Sequence, residues 1–206
     1  MTGITDHIMK RIRAHGRGKK VYVPKDFLDL GSRAAVDQAL SRLAKVGTLR
    51  RAGRGLYDWP RHSTVLDTAA PASVDAVVDA VQRRANIKVV PGNLAAANAL
   101  GLTHAVPVRS DYIASRKINN LRVGGRTLTF HPAGVVLGPW LDSPAAPLVQ
   151  ALVWLHRNSS VDFDGAVTTL CKHAPDVAKA ALARDINWLP GWAIPAAYRI
   201  CGNRAI

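Results

Sequence analysis

A glycine-punctuated basic run, Arg50-Arg51-Ala52-Gly53-Arg54-Gly55-Leu56-Tyr57, constrains this chain more than any other feature. Gly53 and Gly55 permit a tight reversal about Arg54, so the run reads as a short hairpin with a cationic tip. It directly follows Ser32 to Val46, where Val36, Ala39, Leu40, Leu43 and Val46 form one apolar stripe at helical spacing. Arg33, Asp37, Gln38, Ser41, Arg42 and Lys45 fall on the other side. The Ser32 hydroxyl is placed to accept a free backbone N–H at the helix start, and Gly47 is a natural residue to end it. An amphipathic helix leading into a basic hairpin is the outline of a winged helix-turn-helix. In that unit the helix enters a DNA groove and the hairpin lies against phosphate or the minor groove.

The residues upstream complete the outline. Ile4, Ile8, Met9 and Ile12 recur at helical spacing opposite Lys10, Arg11 and Arg13, with Thr2 or Thr5 as the expected cap. His15-Gly16-Arg17-Gly18 stops that helix, Val21-Tyr22-Val23 is a strand signal, and Pro24 closes it. Lys25 to Leu30 reads as a second short helix that offers Phe27, Leu28 and Leu30 to the core. Thr48–Arg51 and Gly55–Trp59 are the expected wing strands, with Leu49, Tyr57 and Trp59 facing inward. Charge supports the reading. The chain carries 28 Lys and Arg against 14 acids, all of them Asp, for a net +14. Residues 1–61 hold 14 of the basic residues and 5 of the acids, a local +9, and the longer remainder has only +5. Such an excess selects polyanionic partners without defining a fold.

The remaining chain reads as a second domain. A linker is expected over 62–73, rich in Pro, Ser and Thr. Val74 to Ala85 is helical, Ile87 to Val90 a strand stopped by Pro91-Gly92, and Asn93 the expected cap of an Ala-rich helix reaching Leu100. Ala105 to Val108 and Tyr112-Ile113-Ala114 are strand-like. Leu121-Arg122-Val123 and Thr127-Leu128-Thr129-Phe130 alternate about Gly124-Gly125, a strong hairpin signal. From Ala145 onward the pattern is helical: Leu148, Leu152 and Leu155 share a face, as do Val167, Leu170 and Cys171, and then Val177, Ala181 and Leu182. Asp162 or Asp164 is the expected cap of the middle helix, and Pro190-Gly191-Trp192 breaks the last segment. Arg109, Arg116, Lys117, Arg122 and Arg126 read either as a second electropositive surface or as ordinary solvated residues. The expected fold class is α+β: a winged helix-turn-helix over 1–61, the linker, and a mixed α/β domain over 74–206 that ends in helices.

Signatures of chemistry are missing. Gly16-Arg17-Gly18-Lys19-Lys20 lacks the spaced first glycine and the Ser/Thr of a phosphate loop. Gly31-Ser32 is not followed by the paired carboxylates that a nucleotidyltransferase needs to hold its metal ions, and Asp162-Phe163-Asp164 has no preceding Gly-Ser. Seven scattered histidines show no metal-ligand spacing, and Cys171 and Cys201 form no C-x-x-C pair. No apolar run approaches the ~20 residues that span a bilayer. The expectation is a cytoplasmic, non-enzymatic protein with no metal, cofactor or membrane partner.

The run Ser32-Arg33-Ala34-Ala35-Val36-Asp37-Gln38-Ala39-Leu40-Ser41-Arg42-Leu43, then Gly47-Thr48-Leu49-Arg50-Arg51 and Arg54-Gly55-Leu56-Tyr57, resembles the N-terminal winged helix of AbiEi-type antitoxins. These are the antitoxin halves of abortive-infection toxin–antitoxin pairs in bacteria. The specific match covers about the first third of the chain. It implies an antitoxin that opposes a cognate nucleotidyltransferase-like toxin and represses its own operon by binding promoter DNA. Antitoxicity would reside in the C-terminal domain. Family members are commonly placed among type IV antitoxins, which oppose the toxin's effect without obligatory contact, although some pairs form complexes; the sequence does not choose between those routes. Carried over by position, the DNA contacts are Ser32, Arg33, Gln38, Ser41 and Arg42 on the helix and Arg50, Arg51 and Arg54 on the wing. Lys19 and Lys20 join the wing arginines as phosphate contacts, and Lys45 lies on the same helix side. The alternative is a winged-helix transcriptional regulator whose C-terminal domain senses a ligand or a protein.

Overall fold

A computed structural model describes residues 3–63, 68–105 and 110–202. The fold is α+β and divides into two compact units, Met1–Ile87 with Leu121–Thr127, and Lys88–Asn120 with Leu128–Ile206.

The first unit opens with α1 (Ile4–His15), whose Ile8, Met9 and Ile12 are buried. Its N-cap is Gly3, not a threonine: the Asp6 carboxylate reaches back to accept the Gly3 N–H at 3.1 Å. Strand β1 (Val21–Tyr22) leads into a 3-10 helix, Pro24–Phe27, shorter than the helix expected over Lys25 to Leu30. Because that helix ends early, Phe27 is buried while Leu28 turns outward. Helix α2 (Arg33–Lys45) starts at Ser32, whose Oγ accepts the Ala35 N–H at 3.3 Å. Val36, Ala39, Leu40 and Leu43 are buried, but Val46 is 73% exposed, because the chain leaves helical geometry there. Strands β2 (Arg50–Gly53) and β3 (Leu56–Asp58) form the expected hairpin, with a register shift between Arg51 and Gly53. Gly55 adopts φ +67°, a left-handed conformation that the turn requires and a side chain would strain. The sheet order is β1-β3-β2, antiparallel throughout, so β2 is an edge.

The expected linker is not featureless. It holds a two-stranded ribbon, β4 (His62–Ser63) paired with β5 (Thr68–Ala69). Helix α3 (Val74–Ala85) follows, capped by Ser73 Oγ, and it groups with the first unit instead of opening the second. The physical cause is Arg83. Its guanidinium binds Asp26 (Nε–Oδ1 3.0 Å) and the Val21 carbonyl (2.6 Å), tying α3 to β1 and the 3-10 helix.

In the second unit β6 (Val89–Pro91) takes in the proline expected to stop it, and α4 (Asn93–Ala99) has Gly92, not Asn93, as its cap. Strand β7 (Ser110–Ala114) pairs antiparallel with β6 and parallel with β9 (Arg126–Pro132). The sheet order is β6-β7-β9-β8, where β8 (Leu121–Val123) groups with the first unit. The strand expected to reach Val108 and the residue Arg109 lie outside the described residues. Helices α5 (Ala146–Arg157), α6 (Phe163–His173), α7 (Asp176–Arg184) and α8 (Ile194–Ile200) complete the unit. Asp162 caps α6, accepting the Asp164 N–H at 3.2 Å. The core gathers on α5, with Leu148, Leu152, Leu170, Leu182 and Trp140 buried. Val177, expected on the α7 apolar face, is 63% exposed, because it sits at the first turn of the helix and Ala178 faces inward instead. Among the described residues no helix is long and apolar enough to cross a membrane.

Candidate nucleic-acid interface

Helix α2 sorts the sequence-derived candidates by what their side chains already hold. Gln38, Ser41, Arg42 and Lys45 are all exposed and share one face at helical spacing. Among the described residues their side chains make no hydrogen bond or ion pair, so their donors and acceptors stay available for base edges and phosphates. Arg33 is exposed but pairs with Asp37 one turn along (Nε–Oδ2 2.9 Å). Ser32 Oγ accepts the Ala35 N–H as the helix cap, which fixes its hydroxyl at the start of α2. Such an exposed i, i+4 pair contributes a few tenths of a kcal/mol (~0.3–0.5) and is easily opened.

The arginines of the β2–β3 hairpin differ in the same way. Arg51 and Arg54 are exposed and their guanidinium groups have no partner among the described residues. Arg50 instead faces the sheet. Its Nε and Nη2 grip Asp58 at 3.0 and 2.5 Å, opposite it in the β2–β3 register, and Nη1 reaches the Ala69 carbonyl at 3.4 Å. Asp58 is 1% exposed, so this pair is a structural strut of the sheet, and Arg50 is removed from the phosphate contacts expected of it. An unpaired carboxylate at that depth is costly, which is why the arginine stays.

The basic loop before β1 is likewise split. Lys19 is exposed. Lys20 sits over the Tyr22 ring at 5.7 Å, and Arg17 covers Trp59 at 4.5 Å, so part of the loop's charge is anchored on aromatic faces. Gly18 N–H donates to the Trp59 carbonyl at 2.7 Å, holding the loop against the residue that follows β3. Tyr22 lies behind this surface, 1% exposed, its phenol pushed up to about 12 by burial and then by the Asp26 charge.

Sequence reasoning missed one participant. Arg84, on α3, donates Nη1 to the Arg54 carbonyl at 2.5 Å and so braces the β2–β3 turn. Burial, and then the neighbouring Arg54 charge, lower the Arg84 guanidinium from its ordinary range. No local signal foretells this contact, since 30 residues separate the two arginines.

The second unit holds a separate cleft of about 620 Å³. Asp111, His131, His156 and Arg157 converge on it, with Ile113, Val153 and Trp192 as apolar lining. His131 Nε2 stands 3.8 Å from Asp111 Oδ1, and the His156 ring stacks on Trp192 at 4.0 Å and 9°. Among the described residues no group of three or more His, Cys, Asp or Glu side chains is arranged to hold a metal ion.

A model of a family of unknown function, DUF6088, matches residues 7–139, which take in α1 through the end of β9 and beyond. No curated protein matches the chain.

Proposed function

The chain belongs to the DUF6088 family, and we propose that its first unit is a winged helix-turn-helix that binds double-stranded promoter DNA. The observation that carries this reading is the unengaged face of α2. Gln38, Ser41, Arg42 and Lys45 stand exposed, while Val36, Ala39, Leu40 and Leu43 anchor the opposite side in the core. Supporting it are the order helix, strand, short helix, helix, hairpin, and the exposed Arg51 and Arg54 at the turn. Gln38 and Arg42 read base edges, each good bidentate pair being worth ~1–3 kcal/mol of discrimination. Lys19, Lys45, Arg51 and Arg54 neutralise phosphates and supply most of the affinity. The reading asks no catalytic step of the chain.

The resemblance to AbiEi-type antitoxins supports a role for this binding: repression of its own operon by an antitoxin that opposes a nucleotidyltransferase-like toxin. A gel-shift titration across salt, on a duplex from upstream of the reading frame, tests the DNA part. Arg54→Ala weakens binding to every sequence and lowers the salt slope by ~0.9, one phosphate contact. Gln38→Ala relaxes choice at one base pair and leaves the slope alone. A slope unmoved by Arg54→Ala removes the wing from the interface. Co-expression of the full chain with a neighbouring nucleotidyltransferase gene tests the antitoxin part through growth rescue.

The cleft of the second unit favours a second reading, a regulator that senses a small ligand, because convergent polar groups over an apolar floor are the usual form of a ligand site. A thermal-shift screen with small carboxylates and planar heterocycles, repeated on His156→Ala, separates the two. Stabilisation lost in the variant supports sensing, and none in the parent chain counts against it.

A further inference from the structure

Beyond α2 and the wing, the first unit gathers a second basic hairpin that the chain order places far away. Strand β2 is the edge of its sheet, and β8 lies beside it. The short stretch Leu121–Thr127 groups with Met1–Ile87 in spite of the separation in sequence. At its tip Gly124 has φ +55° and sits so close to Pro71 that a Cβ would stand 2.9 Å from the proline Cβ, so the tip is held in place by packing. Arg122 and Arg126 flank that tip, both exposed, and no acid lies within the stretch.

The charge balance around this hairpin is one-sided. Where the unit buries an arginine it supplies a carboxylate, as Asp58 does for Arg50 and Asp26 for Arg83. Arg51, Arg54, Arg122 and Arg126 have no such partner among the described residues, and Arg84 adds a further cation against the Arg54 carbonyl. A patch of like charges raises the free energy of the folded chain unless a polyanion lies across it.

We propose that the duplex-binding surface continues from the β2–β3 wing onto the Gly124-Gly125 hairpin, with Arg122 and Arg126 as two further phosphate contacts and Arg84 as the brace that holds the wing tip. The partner is one continuous nucleic-acid duplex, since only its backbone offers charges spaced along a strand that follows both tips. This extension rests on the reading of the first unit as a DNA-binding unit. It also enlarges the binding unit beyond residues 1–61.

The test is fluorescence anisotropy of the full chain on a labelled mixed-sequence duplex of about 30 bp, titrated from about 50 to 300 mM NaCl. Arg122→Gln with Arg126→Gln lowers the slope of log K against log salt by ~1.8, at ~0.9 per lost contact, and Arg122→Lys with Arg126→Lys keeps it. Arg42→Gln with Lys45→Gln is the comparison that reports on α2. An unchanged slope in the hairpin variant, with a reduced one in the α2 variant, overturns the extension and leaves the underlying reading standing. No salt-dependent binding by the parent chain overturns both. Should the double Gln variant fail to fold by circular dichroism, the two single Gln variants carry the same decision, each lowering the slope by ~0.9.

Discussion

The first unit holds 18 Lys and Arg against 8 Asp, a net +10, whereas the second holds 10 against 6, a net +4, over a longer stretch of chain. Its acids are also used differently. In the first unit Asp26 and Asp58 point inward and fasten Arg83 and Arg50, and the exposed Asp29 and Asp37 pair with Arg11 and Arg33, which still leaves Arg42, Arg51 and Arg54 without a carboxylate partner among the described residues. In the second unit the pairs are surface contacts, such as Lys88 with Asp142 and Arg199 with Asp164, and the interior around α5 is apolar apart from Gln150, which donates to the Pro91 carbonyl. The excess of unpaired cations, net +10 against +4, makes the outward field of the first unit the stronger. The contrast is why the polyanion interface is proposed for the first unit.

The largest expected effect tests the apolar side of that contrast. Trp140 is fully buried, edge-on to Trp188 at 5.6 Å. Trp140→Ala is expected to cost ~4 kcal/mol in urea unfolding, through lost burial and the cavity left behind. Its indole N–H has no partner among the described residues, so Trp140→Phe costs much less. A loss under ~1 kcal/mol for the alanine variant would mean that the core is not organised around this ring.

Next comes the buried strut. Asp58→Asn leaves the Arg50 guanidinium half-buried without its counter-charge, and ~3 kcal/mol of stability is expected to go, while exposed Arg51→Gln stays within ~0.5 kcal/mol. Equal costs for the two would erase the distinction between inward and outward arginines.

Tyr22 sharpens the comparison through pH. Its folded phenol titrates at about 12, above the ordinary value of 10.0, because burial disfavours the phenolate. The associated stability is complete below pH ~10 and is lost as pH rises through the folded value, at most about 3 kcal/mol in all. The parent chain is expected to lose stability relative to Tyr22→Phe as pH rises across that window. Parallel pH profiles would place the phenol in water instead.

The smallest effect is at the helix starts. Ser32→Ala removes the α2 cap and Ser73→Ala the α3 cap, each costing ~1 kcal/mol. Because the Ser32 hydroxyl already holds a backbone N–H, DNA affinity is expected to fall in Ser32→Ala only as far as the helix frays. A loss of sequence discrimination without a loss of helix stability would return Ser32 to the contact set.

Local periodicity made much of the fold legible. Ser32, the Val36–Leu43 stripe and Gly47 delimit α2 by themselves, since capping and amphipathicity act within a few residues. The same holds for α3, for the Gly53–Gly55 turn and for the hairpin about Gly124-Gly125. Errors fell at element ends. Leu28, Val46 and Val177 fit their apolar patterns, but each sits where a helix is beginning or has already stopped, so its side chain escapes the face that the period assigns it. The candidate site was legible as a residue set but not as a division of labour: Arg50 and Arg51 are indistinguishable in sequence, and alternation along β2 sends one to Asp58 and the other to solvent.

Residue order alone therefore settled the helices, the turns and the excess of positive charge near the start of the chain, because each depends on neighbours a few positions apart. Three matters awaited the tertiary structure: which arginines are spent on buried carboxylates, the parallel pairing of β7 with β9, and the recruitment of α3 and the Arg122–Arg126 hairpin into the first unit. These rest on contacts between residues tens of positions apart, such as Arg83 with Asp26 and Gly124 with Pro71. Short-range spacing carries no information about them. They form only when the whole chain has found a packing that leaves few buried charges unpaired.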